Sequence, residues 1–323
     1  MKKLFTFTAT LILTGWAALA LAADPAHIIR LGMTTEIGGH YHLGISQFKE
    51  KVEKATNGQV RVDIFPSSQL GGERDMIEGM ATGLLEMAIT SSAPLANFSP
   101  EFLVFDFPFI VTDRDKAFKV MDGPIGQAIL GSMDPKGVKA LGFWENGFRN
   151  LTTSKGPILH PADVKGLKIR TMENPIHMAT FKLLGATPTP MAMGEVFLAL
   201  QQKTIDGQEN PLVIIDTSKI YEANNYISLT GHFYAPAVVM VSKQIFDSYP
   251  ADVQKAIIEA EKEARAWERA YCVELDGKLR KDLEAKGVII SDVDKEEWRK
   301  ATLPIYKEFE SRVNPAYLKA MTE

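Results

Sequence analysis

The sequence predicts an α/β protein built as two domains. Three observations carry this. Strand and helix signals alternate with short connections through the first half of the chain, the alternation starts again after about residue 165, and one late periodic stretch is long enough to lie across two domains.

His27–Met33 reads as a short apolar strand. Leu43, Phe48 and Val52 space the stretch Tyr41–Thr56 as an amphipathic helix, which Asn57-Gly58 ends. Val60–Phe65 is a strand closed by Pro66, Gly71-Gly72 opens a helix carrying Met76, Ile77 and Met80, and Glu86–Thr90 is a third strand. This β-α-β-α-β order predicts a parallel, helix-covered sheet. The stretch FSPEFLVFDFPF, Phe98 to Phe109, is too irregular for one element and is expected to plug one sheet as a hydrophobic loop rather than stack on a ligand. Val138–Trp144 is a further strand.

The second block repeats the pattern, with strand Lys168–Arg170, helix Ile176–Leu184, strand Thr187–Met191 and helix Gly194–Gln202. Ile205 begins another strand, and Tyr226–Thr230 and Ala237–Ser242 follow as two more, the latter apolar, β-branched and expected to be central. From Val253 to Leu283 apolar residues step by three or four. One helix over 251–286 would be about 50 Å long at roughly 1.5 Å per residue. Its charged run, EAEKEARAWER, is expected to be a solvated face, with Glu261 pairing to Arg265. A strand at Val288–Ile290 and a helix over Lys295–Arg312 close the chain.

Lys2 and Lys3, an apolar stretch from Leu4 to Leu21 and small residues at Ala20, Ala22 and Ala23 read as a secretory signal over residues 1–23, cleaved near Ala22 or Ala23. No later run is long and apolar enough to span a bilayer, so the mature chain is expected outside the cytoplasmic membrane and not embedded in it. Without the two signal lysines its net charge is about −6, which argues against a nucleic-acid partner. The single cysteine, Cys272, has no intrachain partner and lies in a helical stretch, so it is read as a packed residue.

Phosphate-binding glycine loops and a nucleophile elbow are missing from the sequence, and no acid–base constellation nominates an enzyme. Of the six histidines only His40 and His42 cluster, and no third ligand has metal-binding spacing, so neither a metal nor a cofactor is expected. Two arginines remain. Arg149 follows the strand Val138–Trp144, and Arg170 ends the strand Lys168–Arg170. Asn210 precedes a proline at a helix start. Two guanidiniums and an amide at strand-to-helix switches suit a carboxylate. Spacing equally allows two internal salt bridges, to residues such as Glu145 or Glu173.

Four stretches, SSQLGGERDMIEGM, ENGFRNLTTSK, VKGLKIRTMENP and LGATPTPMAMGEVFLALQQKTIDGQENP, together with the late helix, resemble the DctP-type solute-binding proteins of TRAP transporters across essentially the whole mature chain. The resemblance implies a type II-like periplasmic binding protein. Each of its two lobes would be a mixed sheet covered by helices, and the long helix would span both. Lobe I would comprise 24–146 with about 236–275, and lobe II 147–235 with about 276–323. Such a protein closes on a small organic acid and delivers it to the membrane subunits of a sodium-coupled permease. Arg170 matches the arginine that holds the substrate carboxylate, Arg149 a second arginine and Asn210 the asparagine of the QENP segment.

The short side chains at Thr34 and around Ser91 depart from sialic-acid-binding members, and Asn210 after Glu209 departs from members that hold 2-oxo acids through sodium. His40, Glu73, Ser91, Thr34 and His232 are candidates to read the far end of the ligand. Trp144 or Phe233 would line the pocket for an aromatic acid. A sugar acid ranks first, a C4-dicarboxylate divided between Arg149 and Arg170 second, and an aromatic acid third. A periplasmic enzyme or a ligand-sensing adapter on the same fold are the alternative functions.

Overall fold

The computed structural model describes residues 24–322, so the expected signal segment lies outside the described residues. The chain begins with β1 (His27–Gly32), α1 (His40–Ala55), β2 (Val60–Phe65), α2 (Glu73–Ala81) and β3 (Met87–Ser91). β1 pairs in parallel with both β2 and β3, as the order of signals requires. Asn57 and Gly58, at φ of 48° and 78°, turn the chain out of α1. Phe98–Phe109 forms short 3-10 turns that bury Phe102, Phe105 and Phe107 under the sheet, so it plugs the sheet as expected. α3 (Arg114–Asp122) and α4 (Pro124–Gly131) follow. Each is too short to leave a clear periodicity in the sequence.

Two strands carry the architecture. β4 (Val138–Thr153) does not stop at Trp144 but runs on through Arg149, and further along the chain Tyr226–Thr230 and Ala237–Ser242 are the two ends of one 17-residue strand, Tyr226–Ser242. The two pair antiparallel along their length, with register shifts at Ala140/Gly142, Glu145/Gly147 and Arg149/Leu151. Gly147 and Gly231, which read locally as turns, sit in these irregularities at φ of 118° and 54°.

Between the long strands lie β5 (Lys168–Thr171), α5 (Pro175–Leu183), β6 (Thr187–Pro190), α6 (Met193–Gln201), β7 (Gly207–Asn210) and α7 (Leu212–Thr217). β5 pairs in parallel with β6 and β7, and β7 lies antiparallel to β4. With Tyr226–Ser242 as β8, the strand order is β2-β1-β3-β8-β4-β7-β5-β6. The long strands thus join two α/β halves into one hydrogen-bonded path.

After β8 come α8 (Lys243–Ser248), α9 (Ala251–Ala285) and β9 (Ile289–Ser291), which pairs with the start of β8. α9 gives Val253 and Ile257 to a core with Ile29, Leu31 and Val239, and Leu279 and Leu283 to a core with Ile215 and Ile227. It therefore spans both halves, as its length suggested. Its charged run is not wholly solvated. Glu261 and Glu268 are buried: Glu261 accepts the Trp144 indole N–H at 2.9 Å and lies 3.5 Å from Arg265, and Glu268 accepts the Glu145 N–H at 3.0 Å. Cys272 is buried, as read. The expected last helix is broken at Pro304 into α10 (Lys295–Thr302) and α11 (Pro304–Phe309), because proline removes a helical donor. α12 (Pro315–Thr322) then packs on α3. Among the described residues no helix is long and apolar enough to cross a membrane.

Candidate functional site

β1 and β3 of the first half run opposite to β5 and β7 of the second, because three antiparallel pairings through β8 and β4 separate them, so the C-terminal ends of both pairs converge on a narrow crevice between the halves. The first half lines it with Thr34, Thr35, Tyr41, Glu73 and Ser91. Asn146 and Arg149 of β4, Arg170, Met172, Met193, Asn210 and Ile214 complete it. It adjoins a second hollow of about 70 Å³ that shares Glu73, Arg170, Met172 and Met193.

Arg170 is buried near the end of β5. Its Nε and Nη2 donate to the Met191 carbonyl at 3.0 and 2.7 Å, and among the described residues it forms no ion pair. Burial, then the like charge of Arg149, pushes its pKa down to about 10, so it remains a cation at neutral pH. A guanidinium has five N–H donors. The backbone carbonyl takes two and fixes the plane, leaving the end-on fork of Nη1 and Nη2.

Arg149 is arranged differently. Its Nε and Nη2 grip the Glu209 carboxylate at 2.5 and 2.9 Å, and Nη2 also donates to the Glu209 carbonyl at 2.6 Å. Burial alone would raise the Glu209 carboxyl, but Arg149 and His232 outweigh it and hold it well below the usual carboxylate range. The internal partner that sequence spacing allowed is therefore Glu209, and not Glu145 or Glu173. Glu145 faces Arg114 at 3.3 Å and accepts from Tyr234, while Glu173 lies 3.9 Å from Arg74.

Asn210 ends β7 and donates to Gln208 Oε1 at 2.5 Å. Glu73 opens α2 and accepts the Ser91 N–H at 2.6 Å. Burial raises its pKa, against the Ser91 N–H, Arg170 and Arg149. Around these groups, Thr35 Oγ1, Tyr41 Oη, Ser91 Oγ and Asn146 Oδ1 are all buried and have no hydrogen-bond partner. Four such atoms on one small crevice form a polar lining that awaits partners.

A family model described as "Bacterial extracellular solute-binding protein, family 7" (DctP) matches residues 31–312. The chain belongs to this family. It is 35% identical to the 2,3-diketo-L-gulonate-binding periplasmic protein of Escherichia coli (strain K12), over 91% of this chain and 90% of that one. A TRAP periplasmic solute-binding protein from Polaromonas sp. JS666, solved bound to D-erythronate, superposes with a TM-score of 0.89 at 41% identity, covering 92% of this chain and 98% of that one. The sugar acid binding protein of Advenella mimigardefordensis strain DPN7T, solved with galactonate, gives a TM-score of 0.89 at 34% identity and covers 93% and 97%. The resemblance to DctP-type solute-binding proteins of TRAP transporters, and the two-lobed α/β fold it implied, both stand.

Six of the candidates singled out in this solute-binding protein meet at the crevice: Thr34, Glu73, Ser91, Arg149, Arg170 and Asn210. Four do not line it. His40, expected at the exit of the first strand, opens α1 and lies beside Glu268 and Cys272 of α9, where burial pushes its pKa down to about 3. Trp144 turns its indole to Glu261 in the core under α9. His232 sits behind the Arg149–Glu209 pair, hydrogen-bonded to Thr230 at 2.7 Å. Phe233 stacks on His177 at 4.0 Å within the second half's core. Sequence reasoning missed Thr35, Tyr41, Asn146, Met172, Met193 and Ile214. Tyr41 and Asn146 adjoin residues it had flagged, but nothing in one sequence distinguishes them from their neighbours.

Proposed function

We propose that this protein captures a small polyhydroxy monocarboxylic acid, an aldonate or uronate, in the periplasm and delivers it to a TRAP permease. The observation that carries the reading is a buried guanidinium, Arg170, with no internal counter-ion, facing a ring of unpartnered buried hydroxyls and an amide oxygen. The ligand carboxylate takes the free fork of Arg170, with Arg149 and Asn210 beside it. Ligand hydroxyls satisfy Thr35, Tyr41, Ser91 and Asn146, and the Glu73 carboxylate accepts from another. Thr34 completes the wall. A C4-dicarboxylate ranks second, because Arg149 is already gripped by Glu209 and a second ligand carboxylate would meet Glu73. An aromatic acid ranks last, since Trp144 and Phe233 belong to cores. The sugar acids bound by the Polaromonas and Advenella proteins support this order.

Transport needs differential binding of ligand by a closed state, with no bond made or broken. The lobes are taken as 24–146 with about 236–275 and 147–235 with about 276–314, and α12 is assigned to the first lobe because it packs on α3. A thermal-shift panel of D-erythronate, galactonate, galacturonate and succinate tests the function. A true ligand at 100 times its Kd adds about 2.7 kcal/mol and raises Tm by several degrees. A shift by succinate alone, or by no acid in the panel, would overturn the proposal.

A further inference from the structure

Behind the crevice, α1 crosses α9 closely. Gly44 permits the approach, since a Cβ there would sit 2.4 Å from the Trp144 ring and 2.9 Å from Glu268 Cγ. At this crossing lie an imidazole, a carboxyl and a thiol. His40 begins α1, and Glu268 and Cys272 stand one turn apart on the same face of α9. One donor atom from each lies within 4.8 Å of the other two. All three are buried, and His40 is only 1% exposed. The polar neighbour of the His40 ring is the Asn146 side chain, too poorly aligned for a full hydrogen bond, and the Cys272 thiol donates to Glu268 Oε1 at 3.2 Å.

We propose that His40, Glu268 and Cys272 form a binding site for a thiophilic divalent cation of the zinc class, tying α1 to α9. Nitrogen, oxygen and sulfur donors from three residues are the set that suits tetrahedral Zn²⁺ or Co²⁺ rather than Mg²⁺ or Ca²⁺. The charge balance favours it. A divalent cation would be bound by the thiol and the carboxyl in their deprotonated forms, with release of the thiol proton. The thiolate and carboxylate then match its two charges, and the imidazole supplies a lone pair. Glu268 Oε2 stays on the Glu145 N–H, which orients the carboxylate from behind. The Asn146 side chain reaches the His40 ring and also lines the crevice, so the cation site would border the ligand site.

The test uses the whole mature chain, stripped with a chelator and titrated with Co²⁺. One equivalent should produce a near-ultraviolet thiolate-to-cobalt charge-transfer band with tetrahedral visible bands, and Zn²⁺ should abolish both. Because Cys272 is the only cysteine, the band in the parent protein can come from no other residue. Zn²⁺, and not Mg²⁺, should raise Tm, which shows binding to the folded state. The band should be lost in C272S, and the Zn²⁺-induced rise should be lost in both C272S and H40Q. No band in the folded parent at excess Co²⁺, or a Zn²⁺ shift that survives H40Q, overturns the proposal. Since the parent alone decides the first point, a variant that fails to fold does not rescue it.

Discussion

Replacing Arg170 separates a guanidinium kept for a ligand from one kept for the fold. Its Nε and Nη2 are oriented by the Met191 carbonyl, and its outer fork has no ion-pair partner among the described residues. A ligand carboxylate on that fork would make two charge-assisted hydrogen bonds, each worth about 1.5–3 kcal/mol. Arg170→Ala removes both, or roughly 3–6 kcal/mol, which is on the order of 10²- to 10⁴-fold in Kd. Arg170→Lys keeps the charge but not the planar fork. One ammonium cannot hold the Met191 carbonyl and present two parallel donors, so about one bond is lost, a weakening of roughly 10- to 150-fold. Isothermal titration calorimetry with galactonate, or with the acid that gives the largest thermal shift, measures both ratios. Binding by the Lys variant within threefold of the parent would refute the fork argument. Unchanged binding by the Ala variant would remove the carboxylate from this position altogether.

The orphaned hydroxyls make a second prediction. Tyr41→Phe should leave the unliganded protein as stable as before, or more so, because the Tyr41 hydroxyl has no partner to lose, yet should weaken sugar-acid binding about 2- to 10-fold in the same calorimetry. Glu73→Gln should stabilise the unliganded protein at neutral pH, because burial raises the folded-state pKa of Glu73 and its ionised form costs stability above that pKa. Since the folded state takes up this proton more readily than the unfolded chain, the parent gains on the variant as pH falls through the raised pKa. Denaturant midpoints from pH 8 to pH 4 should therefore converge. A gap that widens toward acid would show Glu73 to be a stabilising carboxylate instead.

Much of the fold was legible because its signals are local. The parallel unit β1 to β3 has apolar runs bounded by Asn57-Gly58, Pro66 and Gly71-Gly72, and α9 has an unbroken apolar spacing. The long strands were not legible as such. Asn146-Gly147 and Gly231 carry the local signature of turns, and only pairing between β4 and β8 converts them into irregularities within continuous strands. The site divides in the same way. Arg170 announced itself as a cation where a buried strand meets a loop. Glu209 did not announce itself as the partner of Arg149, because the two meet only once β7 is laid against β4, with Leu151 opposite Glu209 and Asn150 opposite Asn210. Trp144 and Phe233 were placed in the pocket by residue type, and it was the helix above one and the ring beside the other that decided against them.

The two arginines are not equivalent, and the difference follows from charge. Two buried guanidiniums in one crevice repel, and burial first, then this repulsion, lowers the pKa of Arg170. If both lacked counter-ions the empty crevice would be strongly unfavourable, and if both had internal ones it would offer a carboxylate nothing. Here Glu209 neutralises Arg149 through two side-chain hydrogen bonds, with His232 supporting the carboxylate from behind at 3.5 Å. That leaves Arg170 as the guanidinium without an ion pair among the described residues, with the Glu73 carboxyl on the same crevice, which suits a ligand with one carboxylate and several hydroxyls. Arg149 and Arg170 both fall in the second lobe as bounded above, so a carboxylate held between them leaves the ligand hydroxyls to reach Thr35, Tyr41, Glu73 and Ser91 of the first. A ligand that meets both sets would bridge the halves, and only such bridging contacts could make it bind a closed form more tightly than an open one.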